Sequence, residues 1–194
     1  MSGFSLWLCP PDSSNLRALV ARLAHKQKTE VFAPHCTLVS DEIVPALPVE
    51  ELVKAVEAGI QEWLKQGAGE LNVRLKDVRQ GPLYYQCVLA ALFPDKPLVS
   101  LHEAVVRQFP LASPPPPYFP HVSLVYGDLS TSLKASIIDD LNAAGEVKEL
   151  EGEEGVEVVG EKDFKPGEVL LMKTAGPCAT WELLARVPIP TSAA

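Results

Sequence analysis

Pro34-His35-Cys36-Thr37-Leu38-Val39-Ser40 and Pro120-His121-Val122-Ser123-Leu124-Val125-Tyr126 are two copies of one heptapeptide. They share proline, histidine, a hydroxyl residue two places on, then leucine and valine. In an extended strand side chains alternate faces, so His35 and Thr37 point one way while Cys36 and Leu38 point the other. The same holds for His121 and Ser123 against Val122 and Leu124. Each copy thus offers an imidazole and a hydroxyl on one face and an apolar anchor on the other. Two such strands brought together place two proton-transfer groups and two hydroxyl donors around one small anion, an arrangement suited to opening a phosphodiester.

Working outward, residues 4–9 read as a strand, and Asp12 or Ser13 caps a helix with the apolar stripe Leu16, Leu19, Val20 and Leu23. The first motif strand spans 31–40. A second helix begins at Pro48 and ends at Gly67 and Gly69. Alternation predicts a strand over 71–79, and a continuous apolar run predicts an interior strand over 84–92. A third helix spans 96–109. The proline-rich stretch 110–117 excludes regular structure and leads into the second motif strand, 118–126. A fourth helix follows from Ser130 or Thr131 to Leu141, then strands near 156–164, 168–173 and 181–187. The two histidines are 121 − 35 = 86 positions apart, close to half of 194 residues. The predicted fold is therefore α+β, one domain over 1–194. It has two pseudo-symmetric lobes of antiparallel sheet with flanking helices and a cleft between them.

Composition narrows the function. An apolar fraction of 47% with a mean hydropathy of +0.10 supports a sizeable core. No apolar run approaches the roughly 20 residues of a membrane helix, and the N-terminus lacks the pattern of a signal peptide. Cys9, Cys36, Cys87 and Cys178 lack zinc-ligand spacing and read as free thiols of an intracellular, cytoplasmic protein. The net charge is −8, of which residues 146–161, with seven Glu and one Lys, carry −6. That segment reads as a solvated acidic loop or hairpin. The balance argues against binding long nucleic acid and favours a small nucleotide as partner, with the chain a monomer.

A lone His-x-Thr or His-x-Ser is as consistent with a structural histidine as with a catalytic one; the pairing changes that. His25 and His102, without such a partner, read as ordinary surface or helix-flank residues. The duplicated motif, with Phe4-Ser-Leu-Trp-Leu, Tyr84-Tyr-Gln-Cys-Val, Gly127-Asp and Lys173-Thr … Thr180-Trp-Glu, resembles the two-histidine (2H) phosphoesterase superfamily. Within it, the chain is similar to the eukaryotic cyclic phosphodiesterases associated with tRNA splicing. The resemblance implies a bilobal fold with a water-filled cleft and no metal or other cofactor. It also implies hydrolysis of ADP-ribose 1″,2″-cyclic phosphate to the 1″-phosphate, and of nucleoside 2′,3′-cyclic phosphates to 2′-phosphates. A relative acting on RNA ends is the alternative.

Histidine chemistry fits that expectation, since one imidazole must take a proton from water and the other must give one to the leaving oxygen. His121 is assigned as base and His35 as acid, with Thr37 and Ser123 binding the phosphate. Trp7, Tyr85 and Tyr126 are the candidate substrate-stacking aromatics; Trp63 and Trp181 read as core. Tyr126 raises a geometric difficulty: five residues after His121, simple alternation aims it away from the cleft unless a bulge intervenes.

Overall fold

The two heptapeptides form neighbouring strands at the centre of one sheet. The computed structural model describes residues 3–67, 69–111 and 114–190. In chain order the elements are β1 (Phe4–Leu8), α1 (Asn15–Gln27), β2 (Cys36–Val39), α2 (Val49–Lys65), β3 (Val73–Gln80), β4 (Val88–Leu92) and α3 (Lys96–Val106). There follow β5 (His121–Val125), α4 (Thr131–Ala143), β6 (Val147–Glu149), β7 (Val156–Val158), β8 (Asp163–Phe164), β9 (Glu168–Lys173) and β10 (Glu182–Pro188). Eight strands form a curled sheet in the order β10-β9-β1-β2-β5-β4-β3-β8. The order divides at its middle into two four-stranded antiparallel halves, the two lobes, with β2 and β5 meeting at the seam.

Local chemistry explains the helices. Ser14 caps α1, its hydroxyl accepting from the Leu16 amide at 3.2 Å. This is one or two residues beyond the expected Asp12 or Ser13, because Ser14 is also tied to Glu161 at 2.7 Å. Ser130 caps α4 by accepting from Leu133 N. The buried stripe of α1 is the predicted one, Leu16, Leu19, Val20 and Leu23, with Ala24 added. It packs under β5, while α3 packs under β2, so each motif strand rests on a helix. Helices α2 and α3 cross closely: a Cβ placed on Gly59 would lie 2.7 Å from Val105 Cα. The Trp63 indole N–H donates to Pro97 O at 3.0 Å across the same crossing, which makes Trp63 core as expected.

Several sequence expectations need amending, beginning with the first motif strand, expected over 31–40 and confined to Cys36–Val39. Residues 84–92 are not one strand: a short 3₁₀ turn, Tyr84–Gln86, precedes β4. The Gly81 N–H donates to Cys87 O at 3.2 Å, closing a tight loop that keeps Tyr84 and Tyr85 out of the sheet. The strand near 156–164 is broken into β7 and β8 by a turn with Val159 and Gly160 at positive φ. The acidic segment is the expected hairpin, β6–β7, with Glu146, Glu153 and Glu157 paired to Arg22, Lys162 and Lys148. The described part of the proline-rich stretch has no regular structure; residues 112 and 113 lie outside the described residues. All four cysteines are free. Among the described residues no helix is long and apolar enough to cross a membrane.

The Gly59 crossing gives a stability prediction. Gly59→Ala forces a methyl into the Val105 backbone and should lower the unfolding free energy by about 1–3 kcal/mol. Urea denaturation measures it; a variant as stable as the parent would show that the two helices separate without cost.

Candidate active site

One bridge joins the lobes at the seam: Cys36 of β2 pairs with Val122 of β5, antiparallel. Continuing that register by one residue in either direction sets His35 against Ser123 and Thr37 against His121. Each histidine thus faces the hydroxyl residue of the other copy, and the two histidines occupy a diagonal, roughly 7–8 Å apart at the backbone. Cys36, Leu38, Val122 and Leu124 are fully buried on the helix side, so His35, Thr37, His121 and Ser123 share the opposite face.

Both motif strands carry the same irregularity. Leu6 and Trp7 of β1 are consecutive, yet they face Val39 and Thr37, leaving Leu38 as an extra residue. Val88 and Leu89 of β4 likewise face Val125 and Ser123, leaving Leu124 extra. These are matching β-bulges, which reset the alternation. Leu38 with Val39, and Leu124 with Val125, therefore all enter the core. The residue after each bulge returns to the site face. That is why Tyr126 reaches the cleft, its hydroxyl 3.5 Å from His35 Nε2.

The backbone orients both imidazoles in the same way. His35 Nδ1 lies 2.7 Å from Ala33 O, and His121 Nδ1 lies 2.9 Å from Phe119 O. A carbonyl only accepts, so Nδ1 carries the proton in each ring and Nε2 is the working atom.

Their surroundings differ. His35 is only 6% exposed and lies flat against Trp7, with ring centroids 3.5 Å apart and planes at 6°. Phe32 meets it edge-on and itself stacks on Tyr126 at 3.6 Å. Tyr85 and Trp181 complete the cage against Tyr126. Burial pushes the His35 imidazole from its ordinary 6.5 down to about 4, and the field of His121 adds to this. The indole face of Trp7 favours the cation by about 0.5–2 kcal/mol. Lowering a pKa from 6.5 to about 4 corresponds to roughly 3 kcal/mol, so burial sets the sign. His121 is half-exposed, with Phe119 against its ring at 5.2 Å. Burial lowers its pKa as well.

The structure brings together every residue singled out from the sequence, in unequal states. Thr37 is half-buried beside Trp7, its partner on β1. Ser123 is 5% exposed and its hydroxyl donates to Tyr85 O at 2.6 Å, so binding a phosphate oxygen requires it to rotate away. Trp7 and Tyr126 are 4% and 3% exposed and act as walls, whereas Tyr85, at 52%, is an open face.

Besides Phe32, sequence reasoning missed four residues. Trp181 is not core but half-exposed in the aromatic cage. Phe119, exposed beside His121, is a further stacking surface. Glu30 accepts from Tyr84 OH at 3.2 Å and from Cys178 N at 3.1 Å, tying together the two turns that carry Tyr85 and Trp181. His102 is not a surface residue: it is 7% exposed and its Nδ1 lies 2.6 Å from Leu38 O.

A cavity of about 340 Å³ adjoins the cage, lined by Trp7, Phe32, Trp181 and Arg17 among others; Arg17 is paired with Asp12. A second cavity, between α1 and α4, contains none of the site residues. Among the described residues no cluster of His, Cys, Asp or Glu could hold a metal ion. The chemistry on hand is two imidazoles, hydroxyl donors and aromatic faces.

A family model described as "Cyclic phosphodiesterase-like protein" matches residues 1–189. The chain belongs to that family. That family lies in the 2H phosphoesterase superfamily. The crystal structure of E. coli LigT in apo form is similar, with a TM-score of 0.51 over 95% of each chain at 13% identity. That likeness carries the bilobal architecture. A search of curated proteins returns no match.

The buried His35 makes a linkage prediction for this cyclic phosphodiesterase-like protein. Its folded pKa of about 4 lies below the unfolded 6.5. Between these values the unfolded chain takes up a proton that the folded one refuses, so stability is present above 6.5 and falls as pH drops toward 4. His35→Gln should flatten this slope, and the parent should lose up to about 3 kcal/mol more than the variant. Urea unfolding at several pH values tests it, and parallel curves would contradict the buried, neutral imidazole.

Proposed function

We propose that the protein is a metal-independent cyclic phosphodiesterase. Its substrates are ADP-ribose 1″,2″-cyclic phosphate, opened to the 1″-phosphate, and nucleoside 2′,3′-cyclic phosphates, opened to 2′-phosphates. These are by-products of tRNA splicing. The observation that carries the reading is the seam register, which supports two Nε2 atoms flanking one phosphoryl group with Thr37 and Ser123 beside it. A small nucleotide suits the net charge of −8 better than an RNA end does.

In this mechanism one Nε2 removes a proton from water as its oxygen attacks phosphorus. The P–O bond to a ribose oxygen breaks, and that oxygen takes the proton of the other Nε2. Water and the cyclic diester become a monoester and a free hydroxyl, and solvent exchange resets both rings. The hydroxyls of Thr37 and Ser123 stabilise charge building on the non-bridging oxygens.

Burial supports assigning the roles opposite to the sequence-based expectation. The base must rest neutral, and His35 is the imidazole more deeply withdrawn from water. The acid protonates an oxygen of the nucleoside, so it belongs on the side where a nucleoside fits. That is the open side of His121, next to Phe119. His35 is therefore the base and His121 the acid, with Tyr85 and Phe119 as faces for the base or ribose.

His35→Ala and His121→Ala should each fold and lose about 10²–10⁴-fold in turnover, with chelator leaving the parent unaffected. Phosphorus NMR on ADP-ribose 1″,2″-cyclic phosphate and the four 2′,3′-cyclic nucleotides identifies product; near-parental turnover in either variant would sink the reading. A 4-nitrophenyl phosphodiester of the nucleoside separates the roles, because its leaving group needs no proton. His121→Ala should recover most of its activity on it while His35→Ala does not, and the reverse pattern restores the opposite assignment.

A further inference from the structure

The seam between the lobes has one bridge pair, yet the proposed chemistry needs the two histidines at a fixed separation. A side-chain pair behind the sheet supplies what the backbone does not. His102 of α3 and Tyr118, three residues before His121, stack face to face with centroids 3.9 Å apart and planes at 2°. His102 Nδ1–H donates to Leu38 O at 2.6 Å, the carbonyl of the bulged residue in the His35 strand. Tyr118 OH donates to Thr37 O at 3.3 Å and lies 3.5 Å from Cys36 Sγ.

These contacts run from α3 through the segment entering β5 to the backbone of β2, so they cross the seam from one motif strand to the other. Burial gives them weight. A bulge leaves its extra residue outside the regular ladder, and a buried carbonyl without a donor is costly. Where the ladder lapses, Leu38 O and Thr37 O are each met by a side chain whose ring is held by the other.

We propose that His102 and Tyr118 are positioning residues: they lock the His35 strand against the His121 strand and so set the distance between the two working Nε2 atoms. This inference rests on the cyclic phosphodiesterase reading for its kinetic readout. Positioning errors near 1 Å cost catalysis about 100-fold without weakening ground-state binding in proportion.

The test uses Tyr118→Phe, which keeps the stack and removes the hydroxyl, and His102→Ala with His102→Asn as the conservative variant able to donate to Leu38 O. Tyr118→Phe and His102→Ala should retain the fold by circular dichroism and lose about 10–100-fold in kcat with KM within about twofold. His102→Asn should recover most of the His102→Ala loss. Nitrogen-15 NMR of the His35 and His121 rings gives a readout independent of turnover, and both signals should move in Tyr118→Phe. Parental kcat together with unmoved ring signals in Tyr118→Phe would overturn the proposal; so would a loss confined to thermal stability. If the parent itself turned over no cyclic phosphate, the functional reading would fail, and the ring signals alone would decide the positioning role.

Discussion

The protein depends on one antiparallel register across its seam. With Cys36 opposite Val122, each histidine faces the hydroxyl residue of the other motif, and the imidazoles fall on a diagonal. A slip of one residue would send one histidine into the core and bring Cys36 or Val122 to the site face. The rest of the architecture defends this register. Leu38 and Leu124 anchor the strands over α3 and α1, and the matched bulges let two successive apolar residues enter the core without rotating the histidines. The same bulges deliver Tyr126 to His35. Fold and site therefore share one constraint, and a mutation that moves the register changes both.

From that symmetric frame the lobes diverge, and the divergence is what chemistry requires. Two identical imidazoles in identical surroundings would titrate together and could not rest as base and acid. Trp7 stands opposite Thr37, whereas the corresponding place opposite Ser123 is Leu89. That single difference puts an indole plane on His35 and leaves His121 without one. Phe32, Tyr126 and Trp181 deepen the enclosure on the His35 side only. Glu30 then holds the two turns that roof the enclosure, joined to a tyrosine hydroxyl and a backbone amide rather than to a cation.

How far the sequence discloses this follows from which signals are local. The repeated heptapeptide marked the centre of the candidate site, because strand alternation alone ties the histidine to the hydroxyl two residues on. The helix stripes were legible for the same reason. The strand over 84–92 was misread because an apolar composition does not distinguish a tight turn from a strand; the Gly81-Pro82 that closes the turn was visible beforehand. The bulges were written in the paired Leu-Val steps, 38–39 and 124–125, where alternation breaks identically in both copies. His102 was also within reach: Leu98, Leu101 and Val105 share its helical face, all fully buried, and a histidine on that stripe must find a buried acceptor. Phe32, Phe119 and Glu30 had no such signal, since their roles arise only where distant segments meet.

The asymmetry also bears on substrate choice. If His35 is the enclosed base and His121 the open acid, as proposed, the site does not treat the two sides of a cyclic phosphate alike. In the proposed mechanism the attacking water would lie on the aromatic side, next to the buried His35. The departing ribose oxygen would then lie toward His121. Under this arrangement the regiochemistry of opening is set by which ribose oxygen the nucleoside presents to the open side when it rests on Tyr85 and Phe119, and not by a choice between equivalent histidines. A nucleotide bound with the other ribose oxygen toward His121 would have to turn its bulk toward the Trp7 cage. Selectivity then comes from the shape of one wall, with the two imidazoles indifferent to it.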